Sequence, residues 1–191
     1  LITRRLQNLA AAFPAVVVSG ARQVGKSTLL KHIYGGKADI VVFDPVIDVE
    51  NAREDPDLFL DNHTTPLVLD EIQYAPELVA ALKRRIDRDR RPGKYILSGS
   101  QQWSVLTSVS ESLAGRVGFV DLEGFCLAEA AGSQGSWLAE WIADPSDIHA
   151  SRPTRLPESR TLYEQLWRGG LPDATLRDES VISDLHAAYQ R

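Results

Sequence analysis

Five short apolar runs, the first four ending in small or acidic residues, punctuate the first two thirds of the chain. They are Val16–Ser19, Asp39–Asp44, Pro66–Glu71, Lys94–Ser100 and Arg116–Leu122. Each is nearly continuous in Val, Ile, Leu or Phe, the pattern of a strand covered on both faces. Between them the apolar residues fall at helical spacing. Leu29, Leu30 and Ile33 follow Lys26, and Gly35-Gly36 stop that helix. Leu78, Leu82 and Ile86 follow Pro76, a residue suited to a first helical turn. Val105, Leu106, Val109 and Leu113 mark a further helix, and the polar stretch VENAREDPDLFLDNH reads as a helical or irregular crossover. Strands alternating with helices predict an α/β fold, a parallel sheet of about five strands flanked by helices. In such sheets ligands gather at the carboxyl ends of the strands. The polar punctuation lies there every time: Ser19-Gly20, Asp44, Asp70-Glu71 and Ser98-Gly99-Ser100.

After Gly124 the rhythm changes. A loosely amphipathic helix is predicted around Trp137 and Trp141, then a loop rich in Pro, Ser and Asp. TLYEQLWRGGLPDAT reads as a helix closed by a double glycine and a proline. The division is therefore a core over 1–124 and a small helical lid over 125–191. Val181, Leu185, Ala188 and Tyr189 read as a last helix without a stop signal, and the chain lacks methionine, so a longer natural polypeptide is expected.

Composition narrows the setting without naming a function. The chain has 191 residues, 43% hydrophobic and 25% charged, within the range of one soluble domain with an appendage. No apolar run approaches the ~20 residues of a membrane-spanning helix, so no membrane is expected as a partner. Net charge is −5, which does not support nucleic acid as a partner, although a local patch such as KRRIDRDRRPGK leaves that open. On the face opposite Leu78, Leu82 and Ile86, most of those basic residues would meet solvent. The one cysteine, Cys126, allows no internal disulfide and reads as a small buried apolar residue. A cytoplasmic location is the default. His32, His63, His149 and His186 show no metal spacing with it.

Three motifs carry chemistry. GARQVGKS fits G-x-x-x-x-G-K-[ST] between a strand and a helix. Such a loop cradles phosphates with successive N–H groups, which makes Gly20, Ala21, Arg22, Gln23, Val24, Gly25, Lys26, Ser27 and Thr28 the nucleotide-binding residues. Lys26 would reach the β- and γ-phosphates and Ser27 would ligate Mg²⁺. In LVLDE, Asp70 either holds Mg²⁺ or caps the next turn. Glu71 would orient and polarise an attacking water as general base. A water-preparing glutamate favours hydrolysis over transfer to a small acceptor. In ILSGS, a hydroxyl could contact the γ-phosphate or the water, Ser98 first and Ser100 second. The guanine-reading motif N-K-x-D is absent from the sequence, which turns the reading from GTP to ATP.

Taken together, GARQVGKST, FDP, LVLDEIQYAPEL, YILSGSQQ, SESLAGR and RGGLPDA resemble the prokaryotic AAA-type P-loop ATPases whose loop reads GPRQVGKTT and which carry a C-terminal domain of unknown function. The matching stretches run in the family's order from Val16 to Ala174. Ala21 and Ser27 replace the family's usual proline and threonine, and neither change removes a needed group. The resemblance implies a P-loop NTPase fold with an extra catalytic glutamate, ATP or ADP and Mg²⁺ as ligands, and a sensor at Ser98. It also places an arginine at Arg116, either a finger acting on the transferred phosphoryl in cis or from a neighbour, or a partner in an ordinary ion pair. GGLP resembles the glycine-proline turn in the lid of STAND signalling ATPases, which would put Pro172 near adenine. The implied function is ATP hydrolysis coupled to movement of the lid and of a C-terminal effector domain. The alternative is a STAND-like nucleotide-held switch or scaffold with little turnover. Self-association stays open.

Overall fold

The structure, a computed structural model, describes residues 2–44, 49–100, 111–130, 142–146 and 159–189. The predicted helices carrying Val105, Leu106 and Val109 and carrying Trp137 and Trp141 lie outside them. The chain divides into two compact units, Leu1–Glu123 and Gly124–Arg191.

The first unit runs α1 (Ile2–Ala12), β1 (Ala15–Gly20), α2 (Lys26–Tyr34), β2 (Asp39–Val42), α3 (Val49–Glu54), α4 (Pro56–Asp61), β3 (Leu67–Asp70), α5 (Leu78–Arg88), β4 (Tyr95–Ser100) and β5 (Val117–Leu122). The strands form one sheet of order β2-β3-β4-β1-β5, and every pairing is parallel. Alternate strand residues enter two cores, as a period of two requires. Ala15, Val17, Leu67, Leu69, Tyr95 and Leu97 pack with α3, α4 and α5. Val16, Val18, Val68 and Ile96 pack on the other face with Leu6 of α1 and Leu30 and Ile33 of α2. Helices thus cover both faces, which is why the strands read as unbroken apolar runs.

The crossover between β2 and β3 is helical. Asp55 caps α4 by accepting from the Leu58 amide at 3.0 Å, with Pro56 in the first turn. The basic stretch of α5 is partly committed to this crossover. Arg84 reaches Asp57 at 2.5 Å and Arg85 reaches Asp61 at 2.8 Å.

The second unit contains α6 (Leu127–Ala130), α7 (Ser159–Arg168), α8 (Pro172–Leu176) and α9 (Ile182–Tyr189). Gly169 ends α7 with φ +79°, a left-handed conformation that glycine adopts without strain. Gly170 accepts from the Phe125 amide at 2.6 Å, so close that a Cβ on Gly124 would lie 2.5 Å from the Gly170 oxygen. Among the described residues no helix is long and apolar enough to cross a membrane.

Candidate functional site

β1 delivers the chain to a tight turn. A Cβ on Gly20 would stand 2.3 Å from the backbone oxygen of Leu122 on the neighbouring strand, so only glycine fits there. Gln23 adopts φ +60° and Gly25 φ +98°, and α2 begins at once with Lys26. Val24 is buried beneath the turn, while Arg22 and Gln23 are exposed and Ala21 is half-buried. The first N–H groups of α2, at Lys26, Ser27 and Thr28, have no carbonyl one turn back within the helix. They open beside the loop, a setting that favours an anion.

Lys26 is only 5% exposed. Its ammonium donates to the carbonyls of Gly20 at 3.1 Å and Ala21 at 2.9 Å. Burial pushes its pKa below the ordinary lysine value; the charges of Glu71 and Asp70 pull it back up, and Arg22 pushes it down. The loop lysine and the β3 carboxylates therefore belong to one electrostatic site.

The strand order explains how those carboxylates arrive. β4 lies between β1 and β3, and Ser98 stands opposite Val18 in the β1 register. Ser98 is fully buried and donates its hydroxyl proton to Asp70 Oδ1; Asp70 is itself 2% exposed. The Ser98 oxygen also lies 3.4 Å from the Glu71 amide, as its acceptor. Glu71 breaks the strand with φ +60° and ψ +44°, and a 3₁₀ turn over Ile72–Tyr74 follows. That kink points the glutamate away from the strand direction that Asp70 continues. Ser100, the second hydroxyl at this strand end, is buried, and its oxygen has no partner among the described residues.

Mg²⁺ suits the donors present. The Ser27 hydroxyl and the Asp70 carboxylate are hard oxygen ligands, and a buried carboxylate bonded through one oxygen to a serine retains lone pairs for a cation.

Two contacts carry no pattern in the sequence. Ser19 donates to Asp121, tying β1 to β5 at the root of the loop. Gln73 Nε2 donates to Glu71 Oε2. A polar residue in a 3₁₀ turn has no periodicity that would single it out. The only available signal was its place two residues after the acidic pair.

Two expectations change. Arg116 precedes β5, and its carbonyl accepts from the Ala15 amide at 3.3 Å, at the amino-terminal edge of the sheet. The loop leaves the opposite edge, after Gly20. The β1 strand between them spans about 17 Å at ~3.3 Å per residue, further than an arginine side chain reaches. Its guanidinium is instead held by Asp87, at 2.6 Å and 3.0 Å. This removes the reading of Arg116 as a finger in cis. Cys126, expected to be buried, is exposed, in an irregular stretch at 123–126.

Pro172 opens α8 in the second unit. Arg168, just before the double glycine, donates to the carbonyls of Arg177 at 3.0 Å and Ala174 at 3.5 Å.

A parallel sheet of this order, with a glycine loop and buried lysine after β1 and an acidic pair after β3, defines a P-loop nucleotide-binding domain of the AAA ATPase type. The model of the family described as AAA domain matches residues 12–131, and the chain belongs to that family. Among curated relatives, two carry the name uncharacterized protein, Mb2031c of Mycobacterium bovis and Rv2008c of Mycobacterium tuberculosis. Each is 34% identical over 139 residues, covering 72% of this chain and 31% of its own length. The chain thus spans about a third of the curated relatives it matches. Among solved structures, the Walker-type ATPase PABY2304 of Pyrococcus abyssi superposes over 99% of this chain and 68% of its own, with a TM-score of 0.56 at 17% identity. That likeness is one of fold.

Proposed function

We propose that the chain binds ATP with Mg²⁺ and hydrolyses it to ADP and phosphate. The observation that supports this reading is the buried Lys26 ammonium on the Gly20 and Ala21 carbonyls of the glycine loop, with the buried Asp70–Ser98 pair at the ends of the nearby strands β3 and β4. The loop N–H groups from Gly20 to Thr28 hold the phosphates, and Lys26 balances charge on the transferred phosphoryl. Ser27 and Asp70 would hold Mg²⁺, which when bound would neutralise charge on the phosphate oxygens. Glu71 takes a proton from water as its oxygen bonds to the γ-phosphorus; the bond to the bridging oxygen breaks, and ADP leaves with that electron pair. Ser98 keeps Asp70 in place and can report the state of the γ-phosphate through it.

The second unit, with Pro172 beside adenine, would act as the lid. Turnover would drive this lid and the further length that the curated relatives have. Arg116 would serve a neighbouring copy, which requires self-association and release from Asp87. A cytoplasmic setting rests on the single cysteine and on the nucleotide itself.

The test is ATP hydrolysis by the protein beside its Lys26→Ala and Glu71→Gln variants. Both should lose turnover, and Glu71→Gln should retain nucleotide. Tight nucleotide with negligible turnover, insensitive to Glu71→Gln, would assign the chain to the nucleotide-held switch instead. Failure to bind ATP or ADP would end both readings.

A further inference from the structure

The structure places the side chain of Gln73 directly on the glutamate. Its amide nitrogen donates to Glu71 Oε2. Glu71 is left-handed and the 3₁₀ turn begins right after it, with Gln73 as the middle residue of that turn. The far end of Gln73 lies against β4 at Gly99. A Cβ on Gly99 would stand 2.8 Å from Gln73 Oε1 and 3.8 Å from a methyl of Ile72. Oε1 is buried and has no hydrogen-bond donor among the described residues. This acceptor does not explain why the side chain lies where it does; the bond to Glu71 and the space left by Gly99 do. Gly99 has no positive φ that would call for glycine. Its missing side chain has a different use, which is to admit Gln73.

We infer that Gln73 is a positioning residue for the hydrolytic step: its amide fixes one carboxylate oxygen of Glu71, leaving the other to face water, and Gly99 supplies the slot that aims it. The inference rests on the reading of Glu71 as the general base. A glutamate side chain has three rotatable bonds, and a general base works only within hydrogen-bond reach of the proton it removes. Holding one oxygen with a neutral donor restricts the carboxylate without neutralising it, as an arginine or lysine at this place would. Misplacement of a reacting group by about 1 Å can cost up to 10²-fold in rate, so loss of this one tether should cost turnover on the order of tenfold or more.

Three variants in the full-length chain test it, with steady-state ATP turnover and the Kd of a non-hydrolysable ATP analogue measured separately. Gln73→Leu keeps the size of the side chain and removes the amide. Gly99→Ala leaves the amide in the sequence but pushes it out of its slot, and alanine suits a strand backbone. The third is the double variant. Each single change should lower kcat about tenfold with the analogue Kd and the melting temperature held, and the double variant should be no worse than Gln73→Leu alone, since both act through one contact. An unchanged or raised kcat in Gln73→Leu overturns the inference. So does a loss matched by weaker analogue binding, or a double variant that falls by the product of the singles. Glu71→Gln run alongside separates the two levels. If it abolishes turnover while Gln73→Leu does not, only the positioning role fails; if it has no effect, the general-base reading itself fails and this inference with it.

Discussion

Removing the hydroxyl of Ser98 should destabilise the protein through the carboxylate it serves. In Ser98→Ala the cavity is small, because one oxygen is lost from a fully buried position. The larger effect falls on Asp70, which is 2% exposed and loses the donor on its Oδ1. A hydrogen bond to a charged group contributes about 1.5–3 kcal/mol net, and an unsatisfied buried partner sits at the upper end. The Glu71 amide loses its acceptor as well, though at 3.4 Å that bond is long and adds little. We therefore expect a loss of about 2–3 kcal/mol. For a chain of this size each kcal/mol lowers Tm by roughly 2–4 °C, so the shift is about 4–12 °C. Differential scanning calorimetry without nucleotide measures it directly. Repeating the scan with Mg²⁺ and an ATP analogue should recover part of the difference, because a cation on Asp70 replaces the lost donor. A melting temperature within 1–2 °C of the parent would show that Ser98 does not support Asp70, and the account of the β3–β4 junction would be wrong.

Gly20→Ala should abolish or strongly reduce folded protein, since its Cβ would meet the Leu122 oxygen at 2.3 Å, where backbone must yield; a parent-like melt refutes the close approach. Lys26 gives a pH prediction. Its pKa is depressed by burial in the free protein, and bound phosphates favour the ammonium, so binding takes up a proton once pH exceeds the depressed value. ATP affinity should then fall as pH rises through the alkaline range below the ordinary lysine pKa. Titration calorimetry in two buffers of different ionisation enthalpy checks it, and zero proton uptake there refutes it. For Arg116, Arg116→Ala should lower turnover only at protein concentrations where copies associate, while Asp87→Ala, which frees the guanidinium, should not lower it. Equal losses in both would mark the pair as structural.

The sheet was legible because a strand buried on both faces must be apolar throughout, and each such run here ends in the residues that meet the ligand edge. Asp70 and Ser98 stood out at such run ends, whereas Lys26 was singled out by the G-x-x-x-x-G-K-[ST] spacing. The helix α1 was not read. Its inward positions Ile2, Leu6, Leu9 and Ala10 are interleaved with Arg4 and Arg5, and only Leu6 is fully buried. For Arg116 the motif left a finger and an ordinary ion pair both open, and topology could have narrowed the choice. In a parallel sheet a residue that precedes a strand stands at the edge away from the ligand, whatever its motif suggests. Gln73 was beyond reach because its importance depends on a kink at Glu71 and a gap at Gly99, neither of which leaves a periodic trace.

The place of β1 has a consequence for how the protein is made. Its two neighbours are β4 and β5, and both are synthesised long after it. Ala15 waits for Tyr95, 80 residues downstream, and Ser19 waits for Asp121, 102 residues downstream. At roughly 5–20 residues per second, the second delay is on the order of 5–20 s. Until β4 is made the segment that will become the glycine loop has neither neighbouring strand, and its apolar run from Ala15 to Val18 stands open to wrong partners. The loop segment leaves the ribosome well before both of its neighbouring strands. The close approach of the Leu122 oxygen to Gly20 can therefore form only after the chain has been made past β5.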